Sequence, residues 1–151
     1  MRGSRGVKAT LAALVASLLT LLPGCASAPQ PVVTASGLQY EVVRAGAGPM
    51  ARAGQQVLIH ETTYLPDGRI QFSTRAQGRP LRFLLGGRQV IDGVDEAVTG
   101  MRVGEQRRLV VAPHLSRRSS YPAGLSPNDT LHYELELVAI ESPQEPAHRS
   151  R

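Results

Sequence analysis

From Gly37 to Glu141 the chain switches between two hydrophobic periods. Leu38, Tyr40 and Val42 alternate with Gln39 and Glu41, the pattern of a half-buried strand. Val57, Ile59, Glu61 and Thr63 fall on one face of a second strand, and Leu58, His60, Thr62 and Tyr64 on the other. Pro66-Asp67-Gly68 is a turn, because Pro presets φ and Gly permits φ > 0. The chain returns over Arg69 to Thr74, and Leu81 to Leu85 is a further short strand. The period then changes. Val90, Val94, Ala97, Val98 and Met101 stand at helical spacing, with Asp92, Asp95 and Glu96 where a helix dipole favours acids. Arg107 to Ala112 is again extended. Leu131, Tyr133, Leu135 and Leu137 alternate with His132, Glu134 and Glu136 in the last strand. About five strands, one short helix and a long loop from Pro113 to Pro127 predict an α+β domain. Its twisted antiparallel sheet should wrap around a single helix, since one helix covers one face of a sheet.

The flanks lack these periods. Arg2, Arg5 and Lys8 precede an apolar run from Ala9 to Leu22, which is the length of a signal-peptide core and too short to span a bilayer. Leu22-Pro23-Gly24-Cys25 resembles a bacterial lipoprotein cleavage box, although Pro23 departs from the usual small or aliphatic residue. The expected organisation is a lipoprotein signal peptide over 1–24, a lipidated Cys25 with a tether to residue 36, a domain over 37–141, and a disordered tail over 142–151. Ala, Pro and Ser dominate the tether, while Pro143, Pro146 and charges fill the tail. Cys25 is the one cysteine, so an internal disulfide is excluded. Several acyl chains on it would anchor the chain stably. Ala26 after the cysteine resembles export to the outer membrane, on its periplasmic face.

Charge changes the picture little. Removing residues 1–24 takes Arg2, Arg5 and Lys8 from seventeen basic residues and leaves twelve acidic ones, a net charge of +2. Nucleic acid is not an expected partner. The pairs Arg107-Arg108 and Arg117-Arg118 read as solvated surface and are not interleaved with aromatics. The histidines His60, His114, His132 and His148 have no metal-ligand spacing, and neither a nucleophile elbow nor a phosphate-binding glycine loop appears. Ser119-Ser120 near His114 has no elbow or positioned acid to make a hydrolase.

Gly37-Leu38-Gln39-Tyr40, Gly54, Leu65-Pro66-Asp67-Gly68, Pro80 with Phe83, Leu84-Leu85-Gly86, Val90-Ile91 through Gly104, and Leu131 to Leu137 recur in one order. In order and spacing they resemble the FKBP-type peptidyl-prolyl isomerases over residues 37–141. The resemblance implies prolyl isomerase activity without a cofactor, on proline-containing segments of unfolded or exported proteins. No helical dimerisation arm precedes the domain, and a monomer is expected. A non-catalytic peptide-binding chaperone or adaptor on the same fold is the alternative, and a structural lipoprotein a third reading.

The resemblance also implies site residues. Val90 and Ile91 match the floor of the proline pocket, and the Ile91 N–H matches the usual donor to a ligand carbonyl. Tyr133 matches an aromatic wall, and Leu81 replaces another aromatic. Val94 stands where many members have tryptophan, Glu61 replaces a tyrosine, and Arg117 replaces the tyrosine of the long loop. Tyr121 is a candidate to supply a hydroxyl in place of Arg117. The usual Phe-Asp pair falls on Gln71-Phe72 without a gap, or on Phe72-Ser73 with a one-residue bulge. The bulge is preferred, and neither alignment keeps the acid. With no Trp, two Phe and four Tyr, the chain cannot furnish every aromatic wall. Phe83 reads as core.

Overall fold

The computed structural model describes residues 30–141. The expected signal peptide, Cys25 and the expected tail from residue 142 therefore lie outside the described residues. Seven strands and one helix follow in the order β1 (Val32–Val33), β2 (Gln39–Arg44), β3 (Gln56–Tyr64), β4 (Ile70–Ser73), β5 (Leu81–Leu84), α1 (Asp92–Val98), β6 (Gln106–Val111) and β7 (Leu131–Glu141). They make one antiparallel sheet ordered β1-β2-β6-β7-β3-β4, with β5 also paired to β3. The expected α+β architecture is present, with seven strands rather than about five. The added β1 falls inside the segment read as a tether, where Val32 faces Tyr40 and Val33 faces Gln39.

Period-two alternation sets the inner face of the sheet. Val57 and Ile59 of β3, Leu109 and Val111 of β6, and Leu131, Leu135 and Leu137 of β7 are all buried. Val94, Ala97 and Val98 of α1 and Met101 after it pack into the same core. Each of the larger side chains among them, Val, Leu, Ile or Met, contributes about 1.5–3 kcal/mol by leaving water. Phe83 is in this core, as its position in β5 predicts. The helix lies close enough to β6 that a Cβ on Gly93 would stand 2.7 Å from Val111 Cγ1. Only glycine fits that crossing without displacement.

The same alternation corrects one reading of charge. Arg107 shares the inner face with Leu109 and Val111 and is only 8% exposed, while Arg108 points outward. A buried guanidinium needs partners. Arg107 Nε donates to Glu105 Oε1 at 2.6 Å and Nη1 to the Ala97 carbonyl at 2.8 Å, and its carbon lies 4.3 Å from the Tyr40 ring centre. Glu105 Oε2 also accepts from the Arg102 N–H at 3.0 Å. The pair thus fastens the end of α1 to β6.

Candidate functional site

The open mouth of the sheet is closed by the segment between β5 and α1. After Leu84 the chain turns through Gly86, whose N–H donates to Asp95 Oδ1 at 2.8 Å, and Gln89, whose Oε1 accepts from the Leu84 N–H at 2.8 Å. These bonds hold the turn that carries Val90 in a bend and Ile91 in extended conformation just before the helix. The Ile91 carbonyl is taken by the N–H groups of Val94 and Asp95 at 3.0 and 3.1 Å. Its own N–H makes no hydrogen bond among the described residues.

Above this floor is a cavity of about 310 Å³. Val90, Ile91 and Val94 form its base, and Leu81, Phe72 and Tyr133 its apolar walls. Thr63, Gln71, Gln89 and Pro122 add to the rim. Phe72 reaches the wall through an irregularity in the β3–β4 ladder. Thr63 faces Phe72 and Tyr64 faces Ile70, which leaves Gln71 without a cross-strand partner. A one-residue bulge of this kind re-aims a side chain that strict alternation would turn away.

Two charged groups enter the apolar cup. Glu61 lies on the inner face of β3 by the same alternation that buries Val57, Ile59 and Thr63. Burial pushes its carboxyl up to about 7, and the Arg118 guanidinium partly opposes that rise. Arg118 is held by three contacts. Its Nε donates to the Ser116 carbonyl at 3.3 Å, its Nη2 donates to the Tyr133 hydroxyl at 3.3 Å, and its guanidinium carbon lies 5.9 Å from the Tyr121 ring centre. Burial raises the Tyr133 hydroxyl above the ordinary phenol range, although the Arg118 hydrogen bond opposes it.

Seven of the residues singled out in the sequence therefore meet in one cavity: Glu61, Phe72, Leu81, Val90, Ile91, Val94 and Tyr133. Arg117 and Tyr121 do not. They line an adjoining groove of about 530 Å³ with Pro113, His114, Pro127 and Asn128, and Arg118 is common to both. The loop side chain that reaches the cavity itself is thus Arg118, with Arg117 and Tyr121 in the groove beside it. The loop winds as a short 3-10 turn over Pro113–Leu115 and buries Ser116, which aims Arg118 inward and leaves Arg117 exposed. The Arg117-Arg118 dipeptide was visible in the sequence, but which of the two turns inward depends on that winding.

No group of metal-ligating side chains occurs among the described residues, and no helix there is long and apolar enough to cross a membrane. His60 Nδ1 lies 3.1 Å from Thr74 Oγ1, and His114 Nε2 lies 2.8 Å from the Ser36 carbonyl oxygen.

The cavity gathers residues that the resemblance assigns to a proline pocket. Residues 48–138 match the family model described as FKBP-type peptidyl-prolyl cis-trans isomerase. FK506-binding protein 1A of Neurospora crassa is 41% identical over 110 residues, which cover 72% of this chain and 92% of that protein. Peptidyl-prolyl cis-trans isomerase FKBP12 of Vicia faba is 37% identical over 111 residues, covering 70% and 99% of the two chains. The crystal structure of FkpA from Escherichia coli superposes with a TM-score of 0.66 at 31% identity, covering 74% of this chain and 51% of that one. AtFKBP13 superposes with a TM-score of 0.64 at 27% identity, covering 73% and 98%. With its family match running from before β3 into β7 and including Val90-Ile91 and the helix, the chain belongs to the FKBP-type peptidyl-prolyl cis-trans isomerases.

Proposed function

We propose that this chain accelerates cis–trans rotation about Xaa-Pro bonds in exported polypeptides, acting as a lipid-anchored monomer at the periplasmic face of the outer membrane. The observation that carries the catalytic part is the unbonded Ile91 N–H at the base of an apolar cup. A prolyl amide resists rotation because resonance gives its C–N bond double-bond character, with a barrier of about 18–20 kcal/mol. That resonance form is charge-separated, and water stabilises it. An apolar cavity lined by Val90, Val94, Leu81 and Phe72 removes the water and so disfavours the planar amide relative to the twisted one. The Ile91 N–H can hold a carbonyl of the client while the prolyl ring sits on the floor. No bond is broken and no nucleophile is needed. Each ~1.4 kcal/mol taken from the barrier is tenfold in rate.

The rate enhancement should be modest for the family. Val94 and Leu81 provide less wall than aromatic rings, and Ser73 offers no carboxylate. Glu61 and Arg118 bring charge, and with it water, to a surface whose work depends on dryness. These two groups also favour a second reading, in which the cup holds proline-containing segments without useful catalysis, as a chaperone or adaptor. Exchange spectroscopy on a panel of Xaa-Pro peptides separates the two. Acceleration supports the isomerase. Peptide binding without acceleration supports the second reading and sinks the first.

The anchor rests on Leu22-Pro23-Gly24-Cys25 and the apolar run before it. Metabolic labelling with palmitate in a bacterial host should mark the wild-type chain and not Cys25→Ser. An unlabelled wild-type chain would remove the lipoprotein part and leave the isomerase part standing.

A further inference from the structure

We propose that the groove beside the proline pocket is a subsite for a carboxylate-bearing side chain, so that preferred client segments carry Asp or Glu close to the isomerised proline. This rests on reading Val90-Ile91 as the prolyl floor and adds the substrate class to that reading. The two cavities share Arg118, so a peptide seated in one meets the other at that guanidinium. Arg117 lines the groove as well.

The arginines of this domain divide into two sets. Arg44 and Arg75 pair with Glu136, Arg69 with Asp67, Arg82 with Glu141, Arg107 with Glu105 and Arg108 with Glu134. Arg117 and Arg118 make no salt bridge among the described residues. Arg52, Arg79, Arg88 and Arg102 also make none, but they line neither cavity. The unpaired charge that faces a cavity is therefore concentrated in the groove.

No salt bridge among the described residues neutralises it, and the Glu61 carboxyl that Arg118 feels is itself pushed up to about 7 by burial. Asp129, the acid of this loop, accepts from the Ser126 N–H at 2.7 Å. Glu96 accepts from the Ser36 hydroxyl at 2.7 Å. His114 lines the groove and adds a second kind of basic group. Glu61 is the one acid that lines the proline cavity, and it does not line the groove. It opposes a client carboxylate inside the cup and so directs it outward to Arg117 and Arg118. Attraction at one place and repulsion at its neighbour is how charge selects a register.

Arg118 is already positioned for this. Nε and Nη2 are engaged by the Ser116 carbonyl and the Tyr133 hydroxyl, whereas Nη1 makes no hydrogen bond among the described residues. A planar guanidinium suits a carboxylate, and a side chain fixed beforehand loses less freedom on binding. The contact lies away from the rotating bond. It should strengthen ground state and transition state alike, lowering KM and leaving kcat unchanged.

The test uses the purified full chain and three peptides of one sequence around a single Ala-Pro bond, with Glu, Gln or Lys at the flanking position. One set carries that residue before the Ala-Pro unit and one after it. In at least one set KM should be lower for Glu than for Lys by about tenfold, the scale of one charge-assisted hydrogen bond, with kcat equal. About 0.5 M salt should narrow the gap. In Arg117→Gln/Arg118→Gln the Glu-to-Lys ratio should fall toward one, Arg117→Glu should favour Lys, and Arg117→Lys should keep part of the preference. If the variants fail to fold by circular dichroism, the wild-type charge series and its salt dependence decide alone. Equal KM for the three peptides in both sets, with isomerisation measured, would overturn the subsite and leave the isomerase intact. If no peptide is isomerised, the isomerase reading falls instead. Amide-shift titrations with the same peptides then judge the subsite: tighter Glu binding supports it and equal affinity overturns it.

Discussion

The Arg118 guanidinium donates to the Tyr133 hydroxyl at 3.3 Å, joining the long loop to the central strand β7 across the rim of the pocket. Tyr133 therefore serves as an apolar wall through its ring and as an anchor through its oxygen. Tyr133→Phe keeps the wall and frees Arg118, and stability should drop by about 0.5–1.5 kcal/mol, the net worth of one hydrogen bond. Tyr133→Ala opens a cavity at a residue only 4% exposed and should cost about 3–5 kcal/mol. Urea unfolding of the two variants measures both. Equal losses would show that the ring does not pack as described.

Glu61 gives the pocket a pH dependence near neutrality. Its carboxyl ionises at about 7 in the fold and near 4.5 when free. Between those values the native state binds the extra proton, so the stability slope is negative and stability falls as pH rises from about 4.5 to 7. Activity on an uncharged peptide should follow the same group, rising as pH falls through about 7, because the neutral carboxyl leaves the cup drier. Glu61→Gln should flatten both profiles. A wild-type pH profile of kcat/KM unchanged in Glu61→Gln would exclude this role.

Gly93 tests the closeness of α1 to β6. Alanine normally stabilises a helix relative to glycine by about 0.5–1 kcal/mol. Here its Cβ would stand 2.7 Å from Val111 Cγ1, and a β-branched side chain yields little. Gly93→Ala should therefore destabilise the domain by about 1–3 kcal/mol. Adding Val111→Ala should recover part of that loss, which thermal unfolding of the single and double variants would reveal. A stabilised Gly93→Ala would contradict the packing.

The Glu105–Arg107 pair is buried on both sides, at 9% side-chain exposure each. Glu105→Ala strands a guanidinium beneath Tyr40 and should cost about 3–5 kcal/mol. Glu105→Leu/Arg107→Met removes both charges and should be markedly less damaging than Glu105→Ala. A double-mutant cycle by urea unfolding reads the coupling. Additive losses would mean that the two side chains do not depend on each other.

Much of this fold was legible as periodicity. Val94, Ala97, Val98 and Met101 mark the buried face of α1, and Leu131, Tyr133, Leu135 and Leu137 mark that of β7, because burial recurs at the repeat of each element. The pattern failed where another force competed with it. Arg107 carries a charge at an inward position, so alternation was hidden until Glu105 and the Ala97 carbonyl were seen to satisfy it. Val32–Val33 is too short to show a period beside Pro31. Of the pocket, Glu61, Leu81, Val90, Ile91, Val94 and Tyr133 sit on regular elements or their ends, where the family resemblance carries over position by position. Phe72 required a bulge at Gln71, which the preferred of the two alignments expressed. Arg118 lies beyond a 3-10 turn whose winding no periodicity announces, and the resemblance aligned its neighbour Arg117 with the loop tyrosine.

The proposed catalysis stands or falls on the floor at Val90-Ile91. Exchange spectroscopy would follow Xaa-Pro peptides with the chain lacking residues 1–25, beside Ile91→Asp, whose carboxylate puts charge and water on the floor. Acceleration by the wild-type chain and at least a tenfold loss in the variant are expected, the effect of ~1.4 kcal/mol at the transition state. Acceleration that persists undiminished in a folded Ile91→Asp chain would place the rotation somewhere other than this pocket.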